Sequence, residues 1–266
     1  MKRLLLMILA TLGCASAAAA VHDSATHVYL GLHGGAGIGV YRDEGLSPLL
    51  YRGLEIHPAL SLEVRKPAWL LGAAASVDGG AYGLTLSLAG LRAYGGHVTV
   101  AFHALRRVAG TGCWTFWAGA GVADLFDIRY NPAFGNSSEG SSNFALLNLA
   151  VRAEAQLRGW TLRAQAGFAP VALLYRPGFS YISNYDRDAA NPVDCAFDQY
   201  QLYWAAAAGL ATEVGCSRQL PNGNEIGLTY RWQHLTSRTS PDHLAAPHRF
   251  DCASHALMIH LMFNIK

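Results

Sequence analysis

Apolar and polar positions alternate with period two through most of this chain. The clearest stretch is Phe144 to Pro170, FALLNLAVRAEAQLRGWTLRAQAGFAP, two alternating arms around Arg158 and Gly159. In the first arm Ala145, Leu147, Leu149, Val151, Ala153, Ala155 and Leu157 share one face, against Asn148, Ala150, Arg152, Glu154 and Gln156. In the second, Trp160, Leu162, Ala164, Ala166 and Phe168 face Thr161, Arg163, Gln165, Gly167 and Ala169. Successive strand residues point to opposite sides, so each arm reads as a strand with one apolar face. The arms exceed the ~5–6 residues of an ordinary globular strand. Long arms with an apolar outer and a charged inner face fit a transmembrane β-barrel, whose strands cross the bilayer in ~9–11 tilted residues.

The same period predicts the other strands. Val28 to Val40 rises, with Tyr29, His33, the glycines and Tyr41 on its inner face; Leu54, Ile56, Leu60, Leu62 and Val64 descend, against Glu55, His57, Ser61, Glu63 and Arg65. Trp69 to Val77, Val98 to Phe102, Trp114 to Val122, Leu202 to Leu210, Ile226 to Trp232 and Leu257 to Ile265 continue the pattern. The piece from Leu84 to Leu91 reads either as an extra crossing or as a hairpin extended above the membrane. Polar stretches at 124–143, 176–198 and 236–252 read as long outer loops, and the turns at the other end are short. The expectation is an all-β, antiparallel up-and-down transmembrane barrel of about ten strands, with eight and twelve as neighbouring even counts.

Tryptophans give a second line of support. Trp69, Trp114 and Trp160 each follow a turn containing Lys66, Arg106 and Arg107, or Arg158, in phase with the outward face. That is an aromatic girdle with basic residues at the periplasmic interface. Tyr41, Tyr175, Trp204, Tyr230 and Trp232 fall near the opposite strand ends and form the second belt. An exported β-sandwich, the alternative, does not account for belts at both ends.

Inward charges concentrate near the periplasmic side: Glu63, Arg65, Arg152, Glu154, Arg163 and Glu213, balanced in sign. Buried charges persist when paired, so these residues are expected to form a salt-bridged plug that fixes register. A pore would show one sign of charge around a wider channel, which disfavours ion conduction. Above this layer the inward positions are small, among them Gly35, Gly37, Gly39, Gly119, Gly121 and Gly167. They predict either a pocket open to the outside or local curvature of the barrel.

The opening MKRLLLMILATLGCASAAAA is a secretory signal peptide, with a basic start, a short apolar run and small residues before cleavage after Ala20 or Ala17. Lipidation at Cys14 is an alternative processing route. Residues 21–266 then form the barrel. Charged residues are 14% of the chain, against about 25% in soluble domains, so its apolar faces need lipid or a core. A net charge of +2 does not imply nucleic acid. Cys195 and Cys252, placed in the last two outer loops, are candidates for a disulfide in an oxidising compartment. Histidines cluster late in the chain, but none has a metal-ligand spacing, so neither metal nor cofactor is expected.

The whole mature chain resembles the small Gram-negative outer-membrane β-barrel proteins. The resemblance rests on the alternating hairpins, on WAGAG at Trp117 to Gly121, and on the last strand HALMIHLMFNIK. It implies two partners, outer-membrane lipid and the outer-membrane assembly machinery, which in that family reads the last strand. Phe263 stands three residues from the end, where that family commonly ends in an aromatic. YRWQHLTS, Tyr230 to Ser237, is similar to a late strand of the lipid A deacylase barrels. Carried over, Arg231 and His234 match, while Thr236 takes the nucleophile's place and Ser237 that of the following Asn. The leading expectation is a non-enzymatic barrel whose outer loops meet an extracellular ligand. The alternative is a lipid hydrolase in which His234 activates the hydroxyl of Thr236 or Ser237.

Overall fold

Among the described residues eleven segments are extended: β1 His27–Asp43, β2 Ser47–Ile56, β3 Ala59–Arg65, β4 Trp69–Leu84, β5 Arg92–Thr111, β6 Trp114–Tyr130, β7 Glu139–Leu157, β8 Trp160–Tyr175, β9 Tyr200–Gln219, β10 Glu225–Thr239 and β11 His248–Asn264. The computed structural model describes residues 25–44, 47–84, 92–132, 139–175, 200–239 and 248–266. Each strand pairs antiparallel with its neighbours, and β11 returns to β1, so the sheet closes on itself. β2 and β3 both lie between β1 and β4 and make a single stave, which gives a ring of ten.

Pro58 is the reason that stave is interrupted. It has no N–H to give to the ladder, yet the register with β1 runs through it unshifted, from Ala36↔Ile56 to His33↔Ala59. His57 N–H still donates to the Gly35 carbonyl at 3.0 Å, and the Pro58 carbonyl accepts from Val77 N–H at 3.0 Å. Of the piece from Leu84 to Leu91, residues 85–91 lie outside the described residues. β4 rises to Leu84 and β5 descends from Arg92, and the two stay paired up to Gly83 opposite Arg92 as one tall hairpin.

Alternation sorts the wall as the sequence implies. Leu54, Ile56, Phe102, Val151, Leu257 and Ile259 are exposed on the outside, while Tyr29, Glu63, Arg152 and Met258 are buried inside. Apolar residues exposed around a closed barrel place it in a bilayer, where every backbone group must find a partner within the sheet. The turns at the end that holds both termini are short. Arg158 and Gly159 form a two-residue hairpin with positive φ at both positions, 49° and 83°, the arrangement whose twist matches the flanking strands.

Two features of the strand tops differ from the sequence expectation. β6 extends to Tyr130 and β7 starts at Glu139, so most of 124–143 is strand rather than loop. Likewise β10 continues to Thr239 and β11 begins at His248 within the expected loop 236–252. The loop at 176–198 lies outside the described residues. At the top of β6 inward polar groups alternate with outward apolar ones, as in Phe126, Asp127, Ile128, Arg129 and Tyr130, and the strand persists because the inward groups find partners in the lumen; at the top of β10 and β11 the inward residues Leu235 and Phe250 are apolar and pack together.

Gly159→Val puts a β-branched residue at a φ that L side chains rarely adopt and is expected to cost about 1–2 kcal/mol. The check is the urea midpoint of the barrel refolded in lipid vesicles, which should fall while the folded band in unheated gels is retained.

Candidate functional site

The lumen contains three tiers of polar groups. In the lowest, Arg152 is buried and donates to Glu63 at 2.8 Å and to Glu154. Arg65 bonds Glu63 at 2.5 Å and reaches across to Glu225 at 2.5 Å, and Arg163 bonds Glu154 at 3.1 Å. The Arg65 guanidinium also lies 4.3 Å from the ring centre of Tyr29. Five of the six residues expected in the charge layer are therefore linked through shared carboxylates. The sixth, Glu213, is half-buried and enters none of these pairs; its part is taken by Glu225, whose place just after a wet turn concealed its inward phase.

The middle tier centres on Asp78. Its Oδ1 lies 2.6 Å from His57 Nδ1 and accepts from Arg231 Nη2 at 2.7 Å, and its Oδ2 lies 3.0 Å from His97 Nε2. His57 Nε2 is 3.5 Å from Glu55 Oε2, and Tyr82 donates to Glu55 Oε1 at 2.5 Å. This tier joins β2, β4, β5 and β10 across the barrel. Glu55 and His57 were legible as inward positions, since they keep the phase of Glu63 and Arg65; Asp78, His97 and Arg231 are not among the lumen residues expected from the sequence.

The upper tier is built around Arg129, which is 2% exposed and pairs with Asp43 and Asp127 and donates to Ser142 at 2.8 Å. Beside it, Tyr41 stacks on Tyr51 and meets Tyr82 edge-on, at centroid distances of 5.1 and 4.9 Å. Phe144, Leu146, Leu174, Leu235 and Phe250 form an apolar cluster on the inner wall. These side chains overturn the expectation of a pocket opening upward. The space beside the small residues is occupied: a Cβ at Gly39 would lie 1.8 Å from the Glu55 carboxylate, one at Gly37 2.9 Å from His57 Nε2, and one at Gly35 2.8 Å from Met258. The glycines make room for large inward side chains from neighbouring strands. Tyr41, counted in the second belt by its height, keeps the inner-face phase it shares with Tyr29 and lies in the lumen rather than the belt.

The outer wall carries the aromatics. Trp69 and Trp160 are exposed, Trp114 stacks on Phe116 at 6.1 Å, and Arg218 lies over Trp160 at 5.7 Å, all at the end with the short turns. At the opposite end Tyr94 and Tyr130 stack outward at 6.5 Å, and Tyr230 hydroxyl meets His255 Nδ1 at 2.5 Å. The side chains of Tyr175 and Trp204 lie outside the described residues.

The residues that suggested hydrolysis are divided between the two faces. Positions three apart on a strand point opposite ways. Arg231 is inward on Asp78, while His234 is outward, stacked on Trp232 at 6.3 Å. Thr236 shares the outer face and donates its hydroxyl to Asp251 at 2.7 Å; Ser237 is inward and 1% exposed. His234 and Ser237 are thus separated by the barrel wall. Cys252 is a free thiol on β11, in a strand rather than a loop, and packs in the lumen against both the tyrosines and the apolar cluster. Cys195 lies outside the described residues.

No family model matches the chain, and no curated protein matches it in sequence. Solved structures do. The outer membrane protease OmpT from Escherichia coli superposes with a TM-score of 0.54 at 7% identity, over 91% of this chain and 98% of that one. The translocator domain of the autotransporter NalP from Neisseria meningitidis gives 0.44 at 8% identity over 98% of each chain. Ail, the attachment invasion locus protein of Yersinia pestis, gives 0.33 at 10% identity over 88% of this chain and 98% of that one. At these identities the likeness is one of fold. The chain is an outer-membrane β-barrel, and the outer membrane is its location.

Arg152→Met leaves Glu63 and Glu154 without their shared cation inside the barrel and is expected to destabilise it by about 3–5 kcal/mol. Combining it with Glu63→Gln and Glu154→Gln should recover part of that loss. Urea titration of the refolded proteins, followed by tryptophan emission, checks both.

Proposed function

We propose that this protein is a closed, non-conducting barrel that acts through its outer face, presenting the segments between its tall hairpins to an extracellular ligand. The carrying observation is that the lumen is crossed at three levels by side chains from opposite walls. Salt-bridged carboxylates and guanidiniums fill the periplasmic end, and Arg129 with the tyrosines and Phe250 fills the outer end. A solute would have to break several buried charge pairs in succession, each loss leaving an uncompensated charge. With the interior committed to holding the wall together, the connections at 131–138, 176–199 and 240–247 are the parts left to meet partners. Loops on a rigid scaffold commonly serve that role.

Planar-bilayer recording tests the reading: the purified barrel is expected to give no channel steps, and steady single-channel conductance in the wild type would overturn it. The divided placement of His234 and Ser237, together with the donation of the Thr236 hydroxyl to Asp251, gives a companion expectation. Lipid A from cells expressing wild type or His234→Ala should show identical acylation by mass spectrometry, with heat-modifiable gel mobility confirming that both barrels are folded.

A further inference from the structure

The outer wall is not uniformly convex. Across β3 to β7 it sinks into an apolar groove of about 550 Å³, lined by Leu62, Leu71, Ala73, Ala104, Ala120 and Leu147. The volume falls within the ~300–1,000 Å³ of small-molecule sites. The floor is low because alanines stand on the outward phase of β4, β5 and β6, while leucines rise on either side. Phe102 and Val122 continue the hollow toward the outer end, where they share it with a second depression of about 440 Å³.

A cation stands one outward row below the lining of this groove, on its periplasmic side. Arg106 is exposed on the same outward face, two residues below Ala104, and its register partners are Trp69 on β4 and Ala118 on β6. It forms no ion pair with any described residue. An arginine on the lipid-facing wall is tolerated near an interface, where it can meet headgroups, and costly deeper in. Trp69 beside it fixes the height as that interface. A second Arg–Trp pair, Arg218 over Trp160, sits at the same end of the barrel on β9 and β8, strands that contribute nothing to this groove. It provides an internal comparison.

We infer that β3 to β7 form a binding site for one anionic phospholipid of the periplasmic leaflet, an acyl chain lying in the groove and the phosphate held by Arg106. The guanidinium suits a phosphate through charge-assisted, forked hydrogen bonds, and the apolar hollow begins one outward row above it, at Leu71, Ala104 and Ala120.

The test is native mass spectrometry of the barrel refolded in micelles doped with equal phosphatidylglycerol and phosphatidylcholine. Wild type is expected to retain one phosphatidylglycerol. Arg106→Gln should lower retention about tenfold, the equivalent of one charge-assisted hydrogen bond. Ala104→Phe, which fills the groove and keeps the charge, should lower it comparably, and Ala120→Leu serves if that variant does not fold. Arg218→Gln should leave retention unchanged. Equal retention of the two lipids by wild type would overturn the site, as would equal loss in Arg106→Gln and Arg218→Gln, or full retention in the groove-filling variant.

Discussion

A strand in a bilayer has no water to satisfy its backbone, so the whole structure depends on the seam between β1 and β11. Pairing there runs from Tyr29↔Asn264 to Asp43↔Phe250 without a shift. Closing that seam removes the last open edge, and only then do the apolar outer face and the backbone both meet surroundings that suit them. The irregularities are kept away from it. One shift lies at the tip of the β1–β2 hairpin, one near the periplasmic end of β5, and two around Pro170, where the missing N–H interrupts pairing with both neighbours.

A ring of ten staves encloses a lumen narrow enough for side chains on opposite walls to meet, and this explains why glycine is so frequent on the inner face. His103 lies flat over Gly72, its register partner, and His260 over Gly227, so that a Cβ at either glycine would fall within 2.4 Å of the ring. Large and absent side chains alternate around the circumference. Inner volume is thus distributed between neighbouring strands rather than left as space, and a glycine-rich inner face is a sign of filling here, not of a cavity.

The architecture was legible in the sequence because lipid imposes a strict alternation on the outward face, as in Leu147, Leu149 and Val151. The lower charge layer was legible for the same reason, since Glu63, Arg65, Arg152 and Glu154 keep the inward phase inside unmistakable strands. The outer end was harder. Asp127 and Arg129 look like loop residues when counted as polar, and become core residues only once Asp43, four staves away around the ring but adjacent across the lumen, is known to face them. Pairing across a lumen joins strands that share no hydrogen bonds, and period-two reading carries no information about it. The outer groove was invisible for a related reason: an alanine and a leucine are equally apolar in the pattern, and only their placement on adjacent strands gives relief to the wall.

The ion pairs of the lumen join parts of the chain that are synthesised far apart. Arg65 and Glu225 are 160 residues apart, Asp78 and Arg231 153, and Arg152 and Glu63 89. Hairpins can zip one after another, but these contacts cannot: Arg65 and Asp78 lack their distant partners Glu225 and Arg231 until β10 arrives. A barrel halted before closure is therefore wet and charged along its inner face, while a closed one is neutralised tier by tier. Filling the interior and sealing the wall become a single late event, so the chain carries its own electrostatic record of whether assembly has finished.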